Sequence, residues 1–93
     1  MADVKIEKPS KEELGSLGVD SWGTWEKEIS DFDWQYGESE TFYVLEGRAK
    51  VDVPDGEVEF GPGDLVTFPA GMKCTWHVLE PIRKKYTFGL EKE

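Results

Sequence analysis

Few side chains in this sequence could do chemistry, and one carboxylate stands out among them. Glu40 begins the phrase ETFYVLEG, directly after a strand-breaking Gly-Glu-Ser segment. Burial among aromatic rings would raise the pKa of such a carboxylate and let it donate or accept a proton, whereas hydrogen-bond donors from Trp34 and Tyr36 would instead hold it ionised. Glu40 is therefore the candidate general acid or base. A solvent-exposed position at the start of a strand is its alternative interpretation, since glutamate is seldom buried without a partner.

Strand parity puts residues i and i+2 of a strand on one face, and the faces that carry Trp34, Glu40 and Cys74 would line one pocket if all three point inward. Apolar walls with few polar groups are typical of a small-molecule site. Two of the rings, Trp34 and Tyr36, are predicted to stack on a planar or sugar-like ligand, and a cationic ligand would add cation–π attraction. The predicted ligand-binding pocket comprises Trp34, Tyr36, Glu40, Phe42, Cys74 and Trp76.

The single cysteine, Cys74, has two interpretations. A lone cysteine in a strand is usually a small buried hydrophobe, whereas a nucleophilic thiol needs a neighbouring base or cation. The single histidine, His77, falls on the opposite face by parity, which predicts a surface or interface residue. Glu40 and Cys74 could together hold a divalent metal, Zn²⁺ or Mn²⁺, and the thiolate favours Zn²⁺. Two protein ligands make a weak site, since zinc usually takes three or four.

Turn signals divide the chain into short strands that must position these residues. Pro54-Asp55-Gly56 predicts a hairpin, and Gly61-Pro62-Gly63-Asp64 predicts a type II turn. About eight to ten strands at this spacing are typical of an all-β sandwich or barrel. Ser10 and Glu13 have capping-box spacing, which predicts one or two helical turns. The predicted strands cover residues 4–6, 22–29, 32–36, 40–46, 50–53, 58–60, 65–68, 72–79 and 82–90.

Two boundaries and one surface follow from the same pattern. Gly47 is predicted to end the strand that begins at Glu40, and Pro81 to end the strand that contains Cys74. Ser30-Asp31 predicts a turn or bulge. The basic run 83–85 is predicted to protect an edge strand from aggregation.

Composition excludes several classes of function. The 93 residues suit one domain, and a net charge of −9 argues against nucleic acid as a partner. No apolar run is long enough to span a membrane, and the N-terminus lacks an apolar signal segment. One cysteine fits a reducing compartment, which predicts an intracellular, cytoplasmic protein, with an organelle as the alternative. The N-terminal segment is expected along a sheet edge, where a second copy could pair to give a homodimer.

Two motifs resemble those of the cupin superfamily over residues 22–88. They are ETFYVLEG, from Glu40 to Gly47, and the Gly63, Pro69, Gly71 spacing in GPGDLVTFPAG. The phrases WE, FDWQY, GDLVTFP and VLEP are similar to small single-domain cupins of the ureidoglycine aminohydrolase type. The resemblance implies one cupin domain over residues 1–93, an all-β jelly-roll (RmlC-like) β-barrel with a short N-terminal helical turn.

The resemblance also implies a ligand set, from which this chain departs. Family members often hold a divalent metal on two histidines, a glutamate and a third histidine. The corresponding positions here are Trp34, Tyr36, Glu40 and Cys74, so the carboxylate alone matches. Three functions follow as hypotheses. The first is a small-molecule-binding cupin with a degenerate metal site, the second a metal-dependent hydrolase of a ureido C–N bond, and the third a metal-free enzyme using Glu40 as acid or base.

Overall fold

The computed structural model describes residues 4–89. Its N-terminal elements are strand β1 (Lys5–Glu7), helix α1 (Lys11–Leu17) and a 3₁₀ turn (Val19–Ser21). The capping box is confirmed, because the Ser10 hydroxyl accepts from the Glu13 N–H and the Glu13 carboxylate accepts from the Ser10 N–H, each at 3.1 Å. Gly18 ends the helix in the left-handed conformation, with φ of 72°.

Six further strands complete one antiparallel sheet of seven. Its hydrogen-bonded order is β1-β6-β4-β7-β2, while β3 also pairs with β7 and β5 with β4. The all-β fold class is thereby confirmed, with fewer and longer strands than the turn signals predict. The further strands are β2 (Gly23–Lys27), β3 (Ser30–Gln35), β4 (Glu40–Val53), β5 (Gly56–Phe60), β6 (Leu65–Phe68) and β7 (Lys73–Phe88).

Strand β4 runs through Gly47, so the predicted strand end there is wrong. The pairing of β4 with β7 shifts register between Val44 and Ala49, which marks a β-bulge. Gly47 sits at the bulge with φ of 86°, a conformation that glycine adopts without strain. The bulge changes which side chains face inward, from Phe42 and Val44 before it to Ala49 and Val51 after it.

Strand β7 likewise runs through Pro81, against the sequence prediction. Pro81 lies where the ladder with β4 is irregular and has no partner in β2 or β3, so its missing N–H breaks no pairing. The predicted edge strand at 83–85 is also wrong, because residues 83–85 of β7 pair with β4 on one side and with β2 on the other. The predicted turn at Ser30-Asp31 falls earlier, since β3 begins at Ser30.

Aromatic rings fill the centre of the fold. Phe42, Phe60, Phe68 and Trp76 contact one another with centroid separations of 5.2 to 6.4 Å. All four side chains are at most 2% exposed. This cluster forms the floor on which the candidate site is built. Within residues 4–89, no helix is long and apolar enough to cross a membrane.

Candidate functional site

A cavity of about 490 Å³ opens beside the aromatic core. Strands β2, β3 and β7 provide its walls, and the first residue of β4 provides a carboxylate. Mostly apolar walls with a few charged groups are typical of small-molecule sites. We call this cavity the aromatic pocket, and it is lined by Trp25, Lys27, Phe32, Asp33, Trp34, Tyr36, Glu40, Trp76, Lys84, Tyr86 and Phe88.

A buried ion pair lies in the wall of the aromatic pocket. The Lys84 Nζ is 3.0 Å from the Glu40 Oε2, and the two side chains are 5% and 7% exposed. Neighbouring β4 and β7 bring them together, with Val44 opposite Lys84 and Glu40 opposite Phe88. Glu40 is thus buried and paired, and its exposed alternative is wrong. Removing either partner would leave a buried charge without compensation.

Three aromatic rings enclose the Lys84 ammonium. Its Nζ lies 3.8 Å from the ring centroid of Phe42 and 4.7 Å from those of Trp25 and Trp76. Ring faces attract a cation more strongly where water is excluded. The enclosing rings are not Trp34 and Tyr36, the rings that the sequence pattern assigns to a cationic ligand, so that assignment stays a prediction.

Burial changes the proton affinities of the groups around this pair. Desolvation lowers the pKa of the Lys84 ammonium, and the charge of Glu40 opposes that effect by stabilising the cation. Desolvation also raises the pKa of the Tyr36 hydroxyl, with a further contribution from the negative charge of Glu40. Tyr36 is therefore a neutral hydrogen-bonding group at every physiological pH.

Among the side chains of residues 4–89, the Trp76 Nε1 is the buried nitrogen or oxygen that meets no acceptor in hydrogen-bonding geometry. Its N–H still acts on the Tyr36 hydroxyl and the Cys74 thiol, because it lowers the pKa of both groups. Trp76 is 2% exposed and lines the aromatic pocket. An unpaired buried donor costs free energy, and a ligand oxygen in the pocket would remove that cost.

The structure brings together four of the six predicted pocket residues. Trp34, Tyr36, Glu40 and Trp76 line the cavity, with Trp34 half exposed at its mouth and in edge contact with Tyr36 at 6.4 Å. Phe42 does not line it, because its ring is fully buried beneath the Lys84 ammonium.

Cys74 also lies outside the lining of the aromatic pocket. Its side chain is 6% exposed within the core cluster, and its thiol donates to the Trp34 carbonyl at 3.6 Å. Burial raises the pKa of this thiol, which disfavours the reactive thiolate. The structure therefore supports the interpretation of Cys74 as a small buried hydrophobe.

His77 lies on the opposite face of β7, as parity predicts. Its two ring nitrogens contact Asp31 Oδ1 at 2.7 Å and Asp52 Oδ2 at 2.9 Å. The hydrogen bond to Asp52, followed by that to Asp31, raises the pKa of His77. This histidine stabilises the outer surface and is remote from the aromatic pocket.

The donor set of the site does not fit a metal ion. Of the residues that the structure describes, no three histidine, cysteine or acidic side chains are grouped so as to hold one. The Glu40 carboxylate already neutralises the Lys84 ammonium at 3.0 Å, and a metal cation there would meet a like charge. The candidate ligands Glu40 and Cys74 therefore have no third donor among the described residues, and the Lys84 ammonium already lies beside Glu40.

Lys84 is a candidate site residue that the sequence interpretation misses. The basic run 83–85 predicts an edge-protecting charge at this position, although Lys84 shares strand parity with Ile82 and Tyr86. Ile82 is 2% exposed and Lys84 is 4% exposed. The alternation of β7 therefore contained the signal, and a buried lysine on that face needs an acidic partner such as Glu40.

Comparisons with known proteins identify the family. Residues 14–86 match the model of the EutQ-like cupin domain. A DUF861 family protein from Thermotoga maritima, known from a crystal structure, is 53% identical with a TM-score of 0.90, covering 92% of this chain and 99% of that one. No curated protein matches the chain.

Two more distant structures share the fold. The EutQ protein of Clostridium difficile is 24% identical with a TM-score of 0.65, covering 89% of this chain and 64% of that one. A putative ethanolamine utilization protein Q from Salmonella typhimurium is 24% identical with a TM-score of 0.64, covering 89% and 66%. These likenesses show the same cupin jelly-roll architecture.

Proposed function

The chain belongs to the EutQ-like cupin domain family, and from that premise we propose that it binds a small, largely planar molecule in the aromatic pocket without a metal ion. The observation that carries the proposal is the buried Glu40–Lys84 pair in an aromatic wall. Such a pair costs desolvation free energy and adds little to stability compared with apolar packing. A polar group in this position is better explained by a ligand than by the fold.

The ligand is expected to contact rings on its faces and polar groups at one edge. Tyr86 and Phe88 are in edge contact at 5.5 Å on one side of the pocket, and Trp34 lies at the mouth. The Trp76 indole N–H offers a donor inside. A planar molecule that carries an oxygen acceptor satisfies both sets of groups.

Benzyl alcohol is a suitable probe, because it combines a planar ring with one hydroxyl. Titration should change the intrinsic tryptophan fluorescence and saturate in the wild-type protein. Phe88→Ser should weaken this binding at least about tenfold by removing a wall of the pocket. Leu79→Ser is the matched control, since Leu79 is 45% exposed against 46% for Phe88 and lies outside the pocket lining. Equal affinities in the two variants would contradict the proposal.

Metal-free catalysis with Glu40 as acid or base is a second candidate. The specific observation that favours it is the Lys84 ammonium at 3.0 Å, a partner that can exchange a proton with this carboxylate. Glu40→Gln would abolish turnover under this candidate, whereas it would weaken binding only in part under the first.

The finer alternative is the metal-dependent hydrolase of a ureido C–N bond. It rests on the resemblance to the ureidoglycine aminohydrolase type and needs a metal that the donor set does not fit. Elemental mass spectrometry after incubation with Zn²⁺ and Mn²⁺ tests it. A stoichiometric metal that Glu40→Gln and Cys74→Ser both remove would support the hydrolase against our proposal.

Partners and location stay predictions. The acidic charge of −9 still argues against nucleic acid, and β1 lies at a sheet edge as expected for the N-terminal segment. The predicted homodimer is tested by sedimentation, and the intracellular location by fractionation.

A further inference from the structure

We propose that Lys84 forms a reversible imine with a small carbonyl compound bound in the aromatic pocket. This inference rests on the proposed binding function and names both the ligand class and the reacting atom. An imine needs an amine, a group that moves protons and a donor for the carbonyl oxygen. The pocket holds all three within one cluster of side chains.

Lys84 supplies the amine. It lines the pocket on a strand rather than a loop, and its side chain is 5% exposed, so its position is set by packing. Exposed lysines are hydrated ammonium ions and react with carbonyl compounds slowly at neutral pH. A lysine in an aromatic pocket meets the carbonyl compound at a high local concentration, because the pocket positions the two groups together.

Glu40 supplies the proton transfer. Its Oε2 is 3.0 Å from the Lys84 Nζ, within direct hydrogen-bonding distance. The carboxylate takes one proton from the ammonium, which leaves a neutral amine with a free electron pair. That pair attacks the carbonyl carbon, a C–N bond forms, and the carbonyl oxygen takes the second ammonium proton to give a carbinolamine.

The same carboxylic acid completes the reaction. Glu40 returns its proton to the carbinolamine hydroxyl, the C–O bond breaks and water leaves. The net change is one ammonium plus one carbonyl compound giving one iminium plus one water, with Glu40 again a carboxylate. Neither an oxidant nor a reductant is needed, and the charge of the site is unchanged.

Trp76 supplies the donor for the carbonyl oxygen. Its ring centroid lies 4.7 Å from the Lys84 Nζ, and its Nε1–H meets no acceptor in hydrogen-bonding geometry within residues 4–89. An N–H that reaches the carbonyl oxygen stabilises the negative charge that develops during attack. The proposal therefore assigns this role to the Trp76 indole, whose N–H otherwise acts on Tyr36 and Cys74.

The three rings around Lys84 stabilise the iminium product as well as the starting ammonium. An iminium carries the same positive charge in nearly the same place as the ammonium, so Trp25, Phe42 and Trp76 attract both. Glu40 remains its counter-ion. The cage therefore lets the lysine exchange one cation for another without leaving a buried carboxylate unpaired.

Reductive trapping tests the proposal in the wild-type protein. We would incubate it with benzaldehyde and cyanoborohydride at neutral pH, and then map the benzylated lysines by peptide mass spectrometry. Lys27 is the internal control, because it also lines the pocket but is exposed and pairs with no acidic side chain of residues 4–89. Label on Lys84 should exceed label on Lys27 at least about tenfold, as expected for a positioned amine.

Variants separate the roles of the cluster. Trp76→Phe keeps a ring but removes the N–H, and trapping at Lys84 should fall about tenfold or more, as for the loss of one oxyanion donor. Lys84→Arg keeps the charge and should abolish the label at position 84, while Lys27 and the surface lysines remain labelled. In the wild-type protein, benzyl label on the exposed lysines with Lys84 unmodified would by itself overturn the proposal.

Benzyl alcohol distinguishes failure of this inference from failure of the proposed function. It has the ring of benzaldehyde but cannot form an imine. If benzyl alcohol binds and benzaldehyde leaves Lys84 unlabelled, the imine is excluded while the binding function stands. If neither compound binds, both proposals fail.

Discussion

Glu40 and Lys84, on neighbouring strands, form the buried ion pair on which the proposed function depends. Their 3.0 Å contact is buried, and three rings enclose the cation. Of the four metal-ligand positions that the family resemblance implies, Glu40 keeps its carboxylate, and the positive charge beside it is that of Lys84. Lys84 occupies none of those four positions.

We expect the pair to be strongly coupled in stability. Glu40→Gln and Lys84→Met should each destabilise the fold by about 3–5 kcal/mol, because each leaves a buried charge alone. The double variant should be far less destabilised than the sum. Urea denaturation of the four proteins gives the coupling free energy.

An exposed pair serves as the control for that cycle. Arg83 Nε and Glu26 Oε2 are 2.9 Å apart, but their side chains are 48% and 62% exposed. Glu26→Gln should change the stability by at most about 1 kcal/mol, because water screens the interaction. Additive effects at Glu40 and Lys84 would show that the buried charges do not interact.

A second residue-scale prediction concerns His77, whose pKa is raised by Asp52 and Asp31. A raised folded-state pKa contributes stability that is complete below the ordinary value of about 6.5 and is lost as pH rises through the folded value. The chain has one histidine, so proton NMR follows it without ambiguity. We expect a midpoint above about 6.5, shifted down in Asp52→Asn; an unshifted midpoint would contradict these contacts.

At the scale of elements, the bulge in β4 explains why the strand end predicted at Gly47 is wrong. Gly47 reads as a strand end, yet here it is the point where one strand changes its inward face. A local pattern cannot tell a turn from a bulge, since both use a glycine with positive φ. Only the pairing partner, β7, decides between them.

Gly47→Ala tests the importance of this bulge. A Cβ there would lie 2.1 Å from the Pro81 carbonyl oxygen, and the φ of 86° is unfavourable for alanine. We expect a loss of about 2 kcal/mol or more in thermal or urea unfolding. Gly15→Ala is the control of opposite sign, because Gly15 is exposed inside α1 with nothing within 4 Å, and the change should stabilise by up to about 1 kcal/mol. A neutral Gly47→Ala would contradict the geometry.

Much of the site was nevertheless predictable from parity. The period of two groups residues by shared strand faces, and it predicts a pocket if those faces point inward. Trp34, Tyr36, Glu40 and Trp76 line the pocket, whereas Phe42 and Cys74 on the same faces do not. Strand parity also contained the position of Lys84. Lysine is seldom buried without an acidic partner, so a basic run on the surface is the simpler interpretation of Lys84. The partner that permits its burial, Glu40, lies on a different strand, and the sequence alone does not show that the two strands are neighbours.

For the whole molecule, the excess of 20 acidic over 11 basic residues dominates the long-range electrostatics. Repulsion between like charges opposes the compact state, and salt screens it over a distance of about 10 Å at 0.1 M. We expect the melting temperature to rise with added NaCl over this range. A fall in melting temperature would mean that the surface ion pairs outweigh the net repulsion. Sucrose at equal osmolality is the control for general co-solvent effects.

The central claim is that a small planar molecule binds beside the Glu40–Lys84 pair, and nitrogen–proton correlation NMR with benzyl alcohol tests it most directly. Indole resonances report each tryptophan separately, and the Trp76 N–H meets no acceptor in hydrogen-bonding geometry within residues 4–89. Saturable shifts at the Trp76 indole and along β7 near Lys84, with the outer-face signals around His77 unchanged, are the predicted result. Absent shifts, or shifts confined to the outer face, would contradict the claim.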